Sequence, residues 1–172
     1  MASYKELLEI GQDFMSFVNT GLDPEIFTVH AVARRLAEGA GISHKTVERM
    51  AAVVENYHFL IAAEMWCADC RVNVTALDYM CRMQPQLSAG IITKGRAEDD
   101  LQEQIGLNEI LVPMVVILDS EYKPVGHFLG RSKFVMEAGI EVIRDDYHAG
   151  HFTEHSISDI LDIIEAVEGR NS

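Results

Sequence analysis

The sequence predicts an α/β fold in which helices cover a four-stranded mixed sheet and an added helical N-terminal region precedes it. Three observations support this prediction. Apolar residues recur at helical spacing up to about residue 56, and short apolar runs of strand length then alternate with helical stretches. The order strand, helix, strand predicts a parallel pair joined by a right-handed crossover. Two later apolar runs separated by a turn predict an antiparallel hairpin.

The N-terminal region carries three predicted helices. Apolar side chains recur at helical intervals over residues 4–19. A second helix is predicted over about 25–38, although residues 27–29 would also suit a strand. Ser43 has the side chain of a good N-cap and predicts the start of a third helix. We therefore expect residues 1–56 to form a helical extension packed on the core.

Residues 57–172 form the predicted main domain. Pro85 ends one predicted helix, and Gly106 lies where a left-handed cap would close another. The predicted elements, in chain order, are a strand over 59–63, a helix over 69–83, a strand over 87–93, a helix over 97–105, strands over 112–118 and 125–129, and helices over 133–143 and 158–167.

Composition and charge argue against several functional classes. The chain has 172 residues and a formal net charge of −13, which repels nucleic acids and anionic membranes, so we predict neither as a partner. No apolar run approaches the ~18 residues of a membrane helix. The N-terminus lacks the pattern of a secretory signal, so we expect a cytoplasmic protein. The odd number of cysteines, three, does not suggest a secreted disulfide scaffold.

The most informative motif is the pair Cys67 and Cys70, placed where a predicted strand leads into a predicted helix. At a helix start, unpaired N–H groups and the helix dipole favour a negative sulfur, which lowers the pKa of a thiol. Cys70 follows one turn later on the same face, so it can attack a mixed disulfide held on Cys67. We therefore predict that Cys67 attacks, that Cys70 resolves, and that Cys70 is the more buried sulfur.

Residues 66–70, with the sequence Trp-Cys-Ala-Asp-Cys, resemble the Trp-Cys-Gly-Pro-Cys centre of the thioredoxin family. Residues 104–119 resemble that family's helix, glycine, proline and strand region, and Gly130 after the last strand also fits. The resemblance spans about residues 57–143. It implies a divergent thioredoxin-like protein with a three-layer α/β/α fold and an Asp in its Cys-x-x-Cys centre.

The resemblance also implies roles for three residues outside the cysteine pair. Val112–Pro113 is expected to be a cis peptide that faces the cysteines, and the family pairs the backbone at the position of Val112 with the substrate chain. A trans proline that opens a strand is the alternative. Trp66 is expected to offer partner proteins a flat apolar surface, which is compatible with packing in the core.

One position departs from the family and leaves the proton acceptor of Cys70 open. Where thioredoxins carry a buried acid in the strand before the motif, this sequence has Ile61. The nearest acids are Glu64 and Asp69, and spacing alone does not choose between them. Asp69 also places a like charge beside a thiolate, which raises the pKa of that thiol. Both acids are predicted to tune the pKa of the pair.

Zinc binding is an alternative use of a cysteine pair, but a structural zinc site needs four ligands and the sequence has no second pair. Cys81 lies about three turns beyond Cys70 on the same predicted helix, and we interpret it as a small buried apolar residue. His148, His151 and His155 are interpreted as exposed loop residues, because no nearby acid or cysteine completes a metal site. We predict no metal and no cofactor.

The predicted activity is dithiol–disulfide exchange with protein or small-molecule disulfides, with electrons supplied by a reductase or a thiol pool. A thioredoxin-fold module that binds partners without turnover is the second hypothesis. The intact pair of cysteines argues against it, because a binding module has no need for two thiols at this spacing. The sequence does not indicate an oligomeric state, a physiological substrate or a redox potential.

Overall fold

The computed structural model describes residues 2–170, and this part of the chain holds nine helices and four strands. None of the described helices combines the length and the hydropathy needed to cross a membrane. The bounds are α1 Tyr4–Ile10, α2 Phe14–Val18, α3 Asp23–Ala37, α4 His44–Ala51, β1 Tyr57–Ala62, α5 Ala68–Met83, β2 Leu87–Ile92, α6 Lys94–Asp100, β3 Met114–Leu118, β4 Pro124–Leu129, α7 Lys133–Ala138, α8 Ile140–His148 and α9 Thr153–Glu168.

The four strands form one mixed sheet in the order β2-β1-β3-β4. β1 and β2 run parallel, with Tyr57 opposite Leu87 and Ala62 opposite Ile92. β3 runs antiparallel to both β1 and β4. The parallel pair and the hairpin are therefore as predicted. β1 and β3 are antiparallel neighbours in the middle of the sheet, with Ala62 opposite Met114. The segment after β1 and the segment before β3 therefore lie at the same end of these two strands.

Each face of the sheet has its own hydrophobic core, because alternate residues of a strand point to opposite faces. On one face, Phe59, Ile61 and Ile117 belong to a buried cluster with residues of α3, α5 and α9. On the other face, Leu60 and Val116 belong to a second cluster with residues of α1 and α6. Helices cover both faces, so the predicted three-layer α/β/α arrangement is confirmed.

The N-terminal segment differs from the prediction, because residues 4–19 form two helices instead of one. The break falls at Gly11 and Gln12, where Gln12 exchanges both backbone hydrogen bonds with Ile91 of the edge strand β2 (2.7 and 3.0 Å). A Cβ atom on Gly11 would lie 2.8 Å from the backbone nitrogen of Ile91, so this close approach requires glycine. Residues 27–29, for which a strand was the alternative, are helical.

The helices before β1 share the core that lies under the sheet. Val29 of α3 and Met50 of α4 belong to the same buried cluster as Phe59. α4 is also tied to α9, because the Arg49 guanidinium donates to both oxygens of the Glu165 carboxylate at 2.7 and 3.0 Å. The division of the chain at residue 57 into an extension and a main domain stays a prediction.

Three later helices differ from their predicted bounds. α9 begins at Thr153, five positions before the predicted start. α6 begins at Lys94, before the predicted start, because the Thr93 side chain caps it. The helix predicted over 133–143 is split into α7 and α8 at Gly139, whose φ of 84° interrupts the helical path.

The prediction that Gly106 closes the helix after β2 is wrong, because α6 already ends at Asp100 with Leu101 as its C-cap. Gly106 has a left-handed φ of 71°, but it lies in the turns that follow the helix.

Candidate active site at the start of helix α5

Cys67 is the N-cap residue of α5, with extended backbone angles (φ −87°, ψ 119°). Its sulfur lies 3.3 Å from the backbone nitrogen of Cys70, which donates to it as a capping hydrogen bond. The local sequence produces this arrangement, since the strand β1 ends at Ala62 and a short connection leads directly into α5. Cys67 is half-buried and Cys70 is 0% exposed, so the prediction that Cys70 is the more buried sulfur is confirmed.

The two thiols have opposite pKa shifts. The hydrogen bond from the Cys70 side chain is the main cause that lowers the pKa of Cys67 to about 7, and the backbone N–H of Cys70 adds to it, while burial and Asp69 oppose it. The same hydrogen bond to Cys67, together with burial, raises the pKa of Cys70. Near neutral pH, Cys67 is therefore the thiol that ionises, while Cys70 keeps its proton.

The Val112–Pro113 peptide bond faces the cysteines and is cis, as the resemblance implied. The sulfur of Cys67 and the carbonyl oxygen of Val112 are 3.5 Å apart. The next residue after β4 holds this segment in place, because the backbone N–H of Gly130 donates to the carbonyl oxygen of Pro113 at 2.8 Å. The Cys67 thiol donates to the Val112 carbonyl, so the proline segment lies at hydrogen-bond distance from the sulfur.

Trp66 is 63% exposed, so its ring does not pack in the core. It lies beside Cys67 in the chain and offers a large apolar surface to solvent. Isolated exposed apolar residues are common in proteins, but this one borders a half-buried thiol.

The two candidate acids are placed differently. The Glu64 carboxylate accepts a hydrogen bond from the backbone N–H of Lys94 at 2.8 Å, and a backbone hydrogen bond from Glu64 lowers the pKa of Cys70. Asp69 raises the pKa of both cysteines by charge repulsion, in the direction predicted from the sequence. Among the hydrogen bonds of residues 2–170, none joins either carboxylate to Cys70. Ile61 is 1% exposed and lies in the core.

Sequence reasoning missed the partners of Asp69. Its two carboxylate oxygens lie 3.1 and 3.2 Å from Nε of Arg131, which follows Gly130 after the last strand. The buried side chain of Asn73 donates to the backbone oxygen of Asp69 at 2.9 Å and to the hydroxyl of Tyr147 at 2.8 Å. The one signal for Asn73 in the sequence is an amide among the apolar residues of its helix. Arg131 gave no signal, since it lies 62 positions from its partner.

The three C-terminal histidines do not converge on one point. Their interpretation as exposed loop residues is wrong for two of them, because His148 is the last residue of α8 and His155 lies in the first turn of α9, and both are half-buried. His148 Nε2 lies 4.0 Å from Asp69 Oδ1, and burial is the main cause that lowers its pKa. His151 is exposed, and the His155 ring stacks on Phe134 with centroids 3.8 Å apart. Within residues 2–170, the structure places no three His, Cys, Asp or Glu side chains together in a way that could hold a metal ion.

Comparison with known proteins extends over nearly the whole chain. A family model described as thioredoxin matches residues 27–146, from within α3 to within α8. A crystal structure of a protein of unknown function from Pseudomonas aeruginosa is similar, with a TM-score of 0.92 and 42% sequence identity over 97% of this chain and 99% of that chain. An HIV epitope-scaffold structure has a TM-score of 0.90 and 42% identity over 96% and 99% of the two chains. No curated protein matches.

Proposed function

This chain belongs to the thioredoxin family, and we propose that it is a thiol–disulfide oxidoreductase that works through Cys67 and Cys70. The observation that carries the proposal is the geometry of the pair. The half-buried Cys67 caps the start of α5, and the fully buried Cys70, one turn later, donates its backbone N–H to the Cys67 sulfur at 3.3 Å. Cys67 has a pKa of about 7 and is half-buried, whereas Cys70 is fully buried and has a raised pKa. Cys67 is thus the nucleophile near neutral pH, and Cys70 is the resolving thiol, which stays protonated until the second step.

The first step is attack by the Cys67 thiolate on one sulfur of a substrate disulfide. The new bond joins Cys67 to that sulfur, the substrate S–S bond breaks, and the other substrate sulfur leaves as a thiolate that takes a proton from water. Val112 is placed to pair its backbone with the substrate chain, because its carbonyl oxygen is 3.5 Å from the Cys67 sulfur. Trp66, the residue before Cys67 in the chain, contributes an exposed apolar surface.

The second step is attack by Cys70 on the Cys67 sulfur of the mixed disulfide. The Cys67–Cys70 bond forms, the second substrate sulfur leaves, and the proton of Cys70 ends on that sulfur, so the substrate gains two electrons and the enzyme loses two. Water carries the proton, because the Glu64 carboxylate is bonded to the backbone of Lys94 and the Asp69 carboxylate is paired with Arg131. Asp69 acts on the cysteines through its charge, which raises the pKa of both thiols, whereas Glu64 acts on Cys70 through a backbone hydrogen bond that lowers its pKa.

Protein disulfides or small-molecule disulfides are the substrates in this proposal, and a reductase or a thiol pool returns the pair to the dithiol state. We place the reaction in the cytoplasm, where the glutathione pool is reducing and the net direction is reduction. The pair exchanges electrons without a cofactor.

Reduction of insulin by dithiothreitol tests the proposal. The wild-type protein should accelerate it, Cys67→Ser should abolish the acceleration, and Cys70→Ser should accumulate a mixed disulfide detectable by mass. Cys81→Ser is the matched control and should retain the wild-type rate. A wild-type protein with no acceleration over background would overturn the proposal in favour of a binding module, and stoichiometric zinc without a reversible disulfide would overturn it in favour of a metal site.

A further inference from the structure

The Cys-x-x-Cys segment contains an acid, Asp69, between its two sulfurs. A carboxylate two residues from a thiolate repels it and disfavours the charged form that attacks the substrate. Asp69 raises the pKa of Cys67 in this way, yet that pKa is still lowered to about 7. The hydrogen bonds from Cys70 outweigh the repulsion by Asp69, and the Asp69 carboxylate also has a cationic partner in the structure.

That partner is the guanidinium of Arg131. Its Nε lies 3.1 and 3.2 Å from the two oxygens of Asp69, whose side chain is 19% exposed. The ion pair joins the first turn of α5 to the loop after β4. The negative charges of Asp69 and Cys67 both favour the Arg131 cation, so the arginine is close enough to interact with the thiolate as well.

Buried hydrogen bonds hold the two partners in register. The Asn73 amide donates to the backbone oxygen of Asp69 at 2.9 Å and lies 3.3 Å from the backbone oxygen of Gly130, the residue before Arg131. The Ser156 hydroxyl of α9 donates to the side-chain oxygen of Asn73 at 2.6 Å. Since Gly130 also donates to Pro113, one loop positions both the cation and the proline segment.

Other charged groups surround the pair. His148 of α8 is 4.0 Å from Asp69, and the positive charges of Arg71, Arg131 and Arg144 disfavour its protonation. Arg71 is engaged elsewhere, because its Nη1 donates to the backbone oxygen of Met65 at 2.8 Å and lies 3.8 Å from the carboxylate of Glu25. The Arg144 guanidinium lies 3.5 Å from the carboxylate of Glu141. Among the arginines and lysines of the described residues, Arg131 is the one whose side chain pairs with Asp69.

We propose that Arg131 is a positioning residue which, by holding the Asp69 carboxylate in an ion pair, keeps that charge from repelling the Cys67 thiolate. The inference rests on the proposed function, since it concerns the nucleophile of that reaction. Without Arg131, the negative charge of Asp69 has no cationic partner at hydrogen-bond distance, although the Tyr147 hydroxyl and His148 of α8 still lie beside its side chain. The arginine acts through Asp69 and through its own charge, not by contact with the substrate.

Titration of the Cys67 thiolate by its ultraviolet absorbance tests this, in a Cys81→Ser background. Arg131→Gln should raise the pKa of Cys67 by about 0.5–1 unit, a size expected for loss of one nearby half-buried charge. Arg131→Lys keeps the charge and should restore most of the shift. Asp69→Asn should lower the pKa, and in that background Arg131→Gln should have less than half of its effect.

Arg82→Gln is the matched control, because Arg82 also pairs with an aspartate of α5 (2.7 Å to Asp78) but lies about 18 Å further along the helix from Cys70. It should leave the pKa of Cys67 unchanged. A pKa that does not move in Arg131→Gln, even if the variant unfolds more easily, would overturn the inference and leave Arg131 a structural residue. A wild-type protein that does not accelerate insulin reduction would refute the proposed function instead. The two failures are distinguishable, because the titration of the Cys67 thiolate does not depend on turnover.

Discussion

The two ends of helix α5 carry cysteines in opposite surroundings. At the first turn, hydrogen bonds from the Cys70 side chain and backbone lower the pKa of Cys67 to about 7. Near the last turn, burial against the core, with a smaller effect of Asp78, raises the pKa of Cys81 to about 12. Both residues are thiols on one helix, so the contrast comes from their positions.

The comparison teaches which surroundings make a sulfur reactive. A helix start offers free N–H groups that stabilise an anion. At a position inside the helix, the N–H groups already donate to carbonyl oxygens of the same helix. Burial opposes ionisation at both ends of α5, but only at Cys67 do donors outweigh it. The three predictions below sharpen or break this contrast, beginning with the largest expected effect.

Alkylation of the reduced protein by iodoacetamide should separate Cys67 from Cys81. At pH 7 we expect Cys67 to react about 10³-fold faster, because pKa values of about 7 and about 12 separate the two thiolate fractions by about 10⁵, and the greater nucleophilicity of the more basic thiolate recovers about 10². Peptide mass mapping over a time course measures both rates. The Cys67→Ser control should leave the slow Cys81 rate unchanged, and equal rates at the two positions would break the contrast.

The two ends of α5 should also differ in how much a polar side chain stabilises the fold. Asn73 is 1% exposed and bonds to Asp69, Tyr147 and Ser156, so Asn73→Ala should lower the free energy of unfolding by about 2–3 kcal/mol. Arg82→Ala, at the far end, removes a 67% exposed guanidinium that pairs with Asp78 across one helical turn, and it should cost about 0.5 kcal/mol or less. Urea unfolding measures both, and similar losses would contradict this ranking.

The stability of the reduced protein should rise between pH 7 and pH 9. The pKa of Cys67 is about 7 in the folded state and lies at its ordinary value of 9.0 when unfolded, so the thiolate favours the folded state. This contribution is complete above pH 9 and is lost as the pH falls through 7. After allowance for solvent screening it amounts to about 1–2 kcal/mol.

Urea unfolding at several pH values, with and without Cys67→Ser, isolates this contribution. The variant should lack the rise between pH 7 and 9. The raised pKa values of Cys70 and Cys81 act in the other direction, since they remove stability as the pH rises above the ordinary thiol value. A rise that persists in Cys67→Ser would assign it to another group.

Sequence patterns predicted the parts of the fold that depend on local spacing. The four strands and the helix after Cys67 follow from the periodicity of apolar residues. The break at Gly11 did not, because the edge strand β2 causes it through backbone bonds from Gln12 to Ile91. An edge strand that lies 79 positions away in the chain leaves no local pattern at residue 12.

The sequence by itself determined that two sulfurs lie one helical turn apart at a helix start, because local patterns in consecutive residues specify the strand, the connection and the helix. It also identified Asp69 as a charge that opposes the thiolate. Only the tertiary structure decided that Arg131 forms an ion pair with Asp69 and that the Asn73 side chain bonds to Gly130, the residue before Arg131. Both contacts cross from α5 to a loop that follows the last strand. Electrostatic energies depend on distances in space, and the spacing of residues along the chain does not supply those distances.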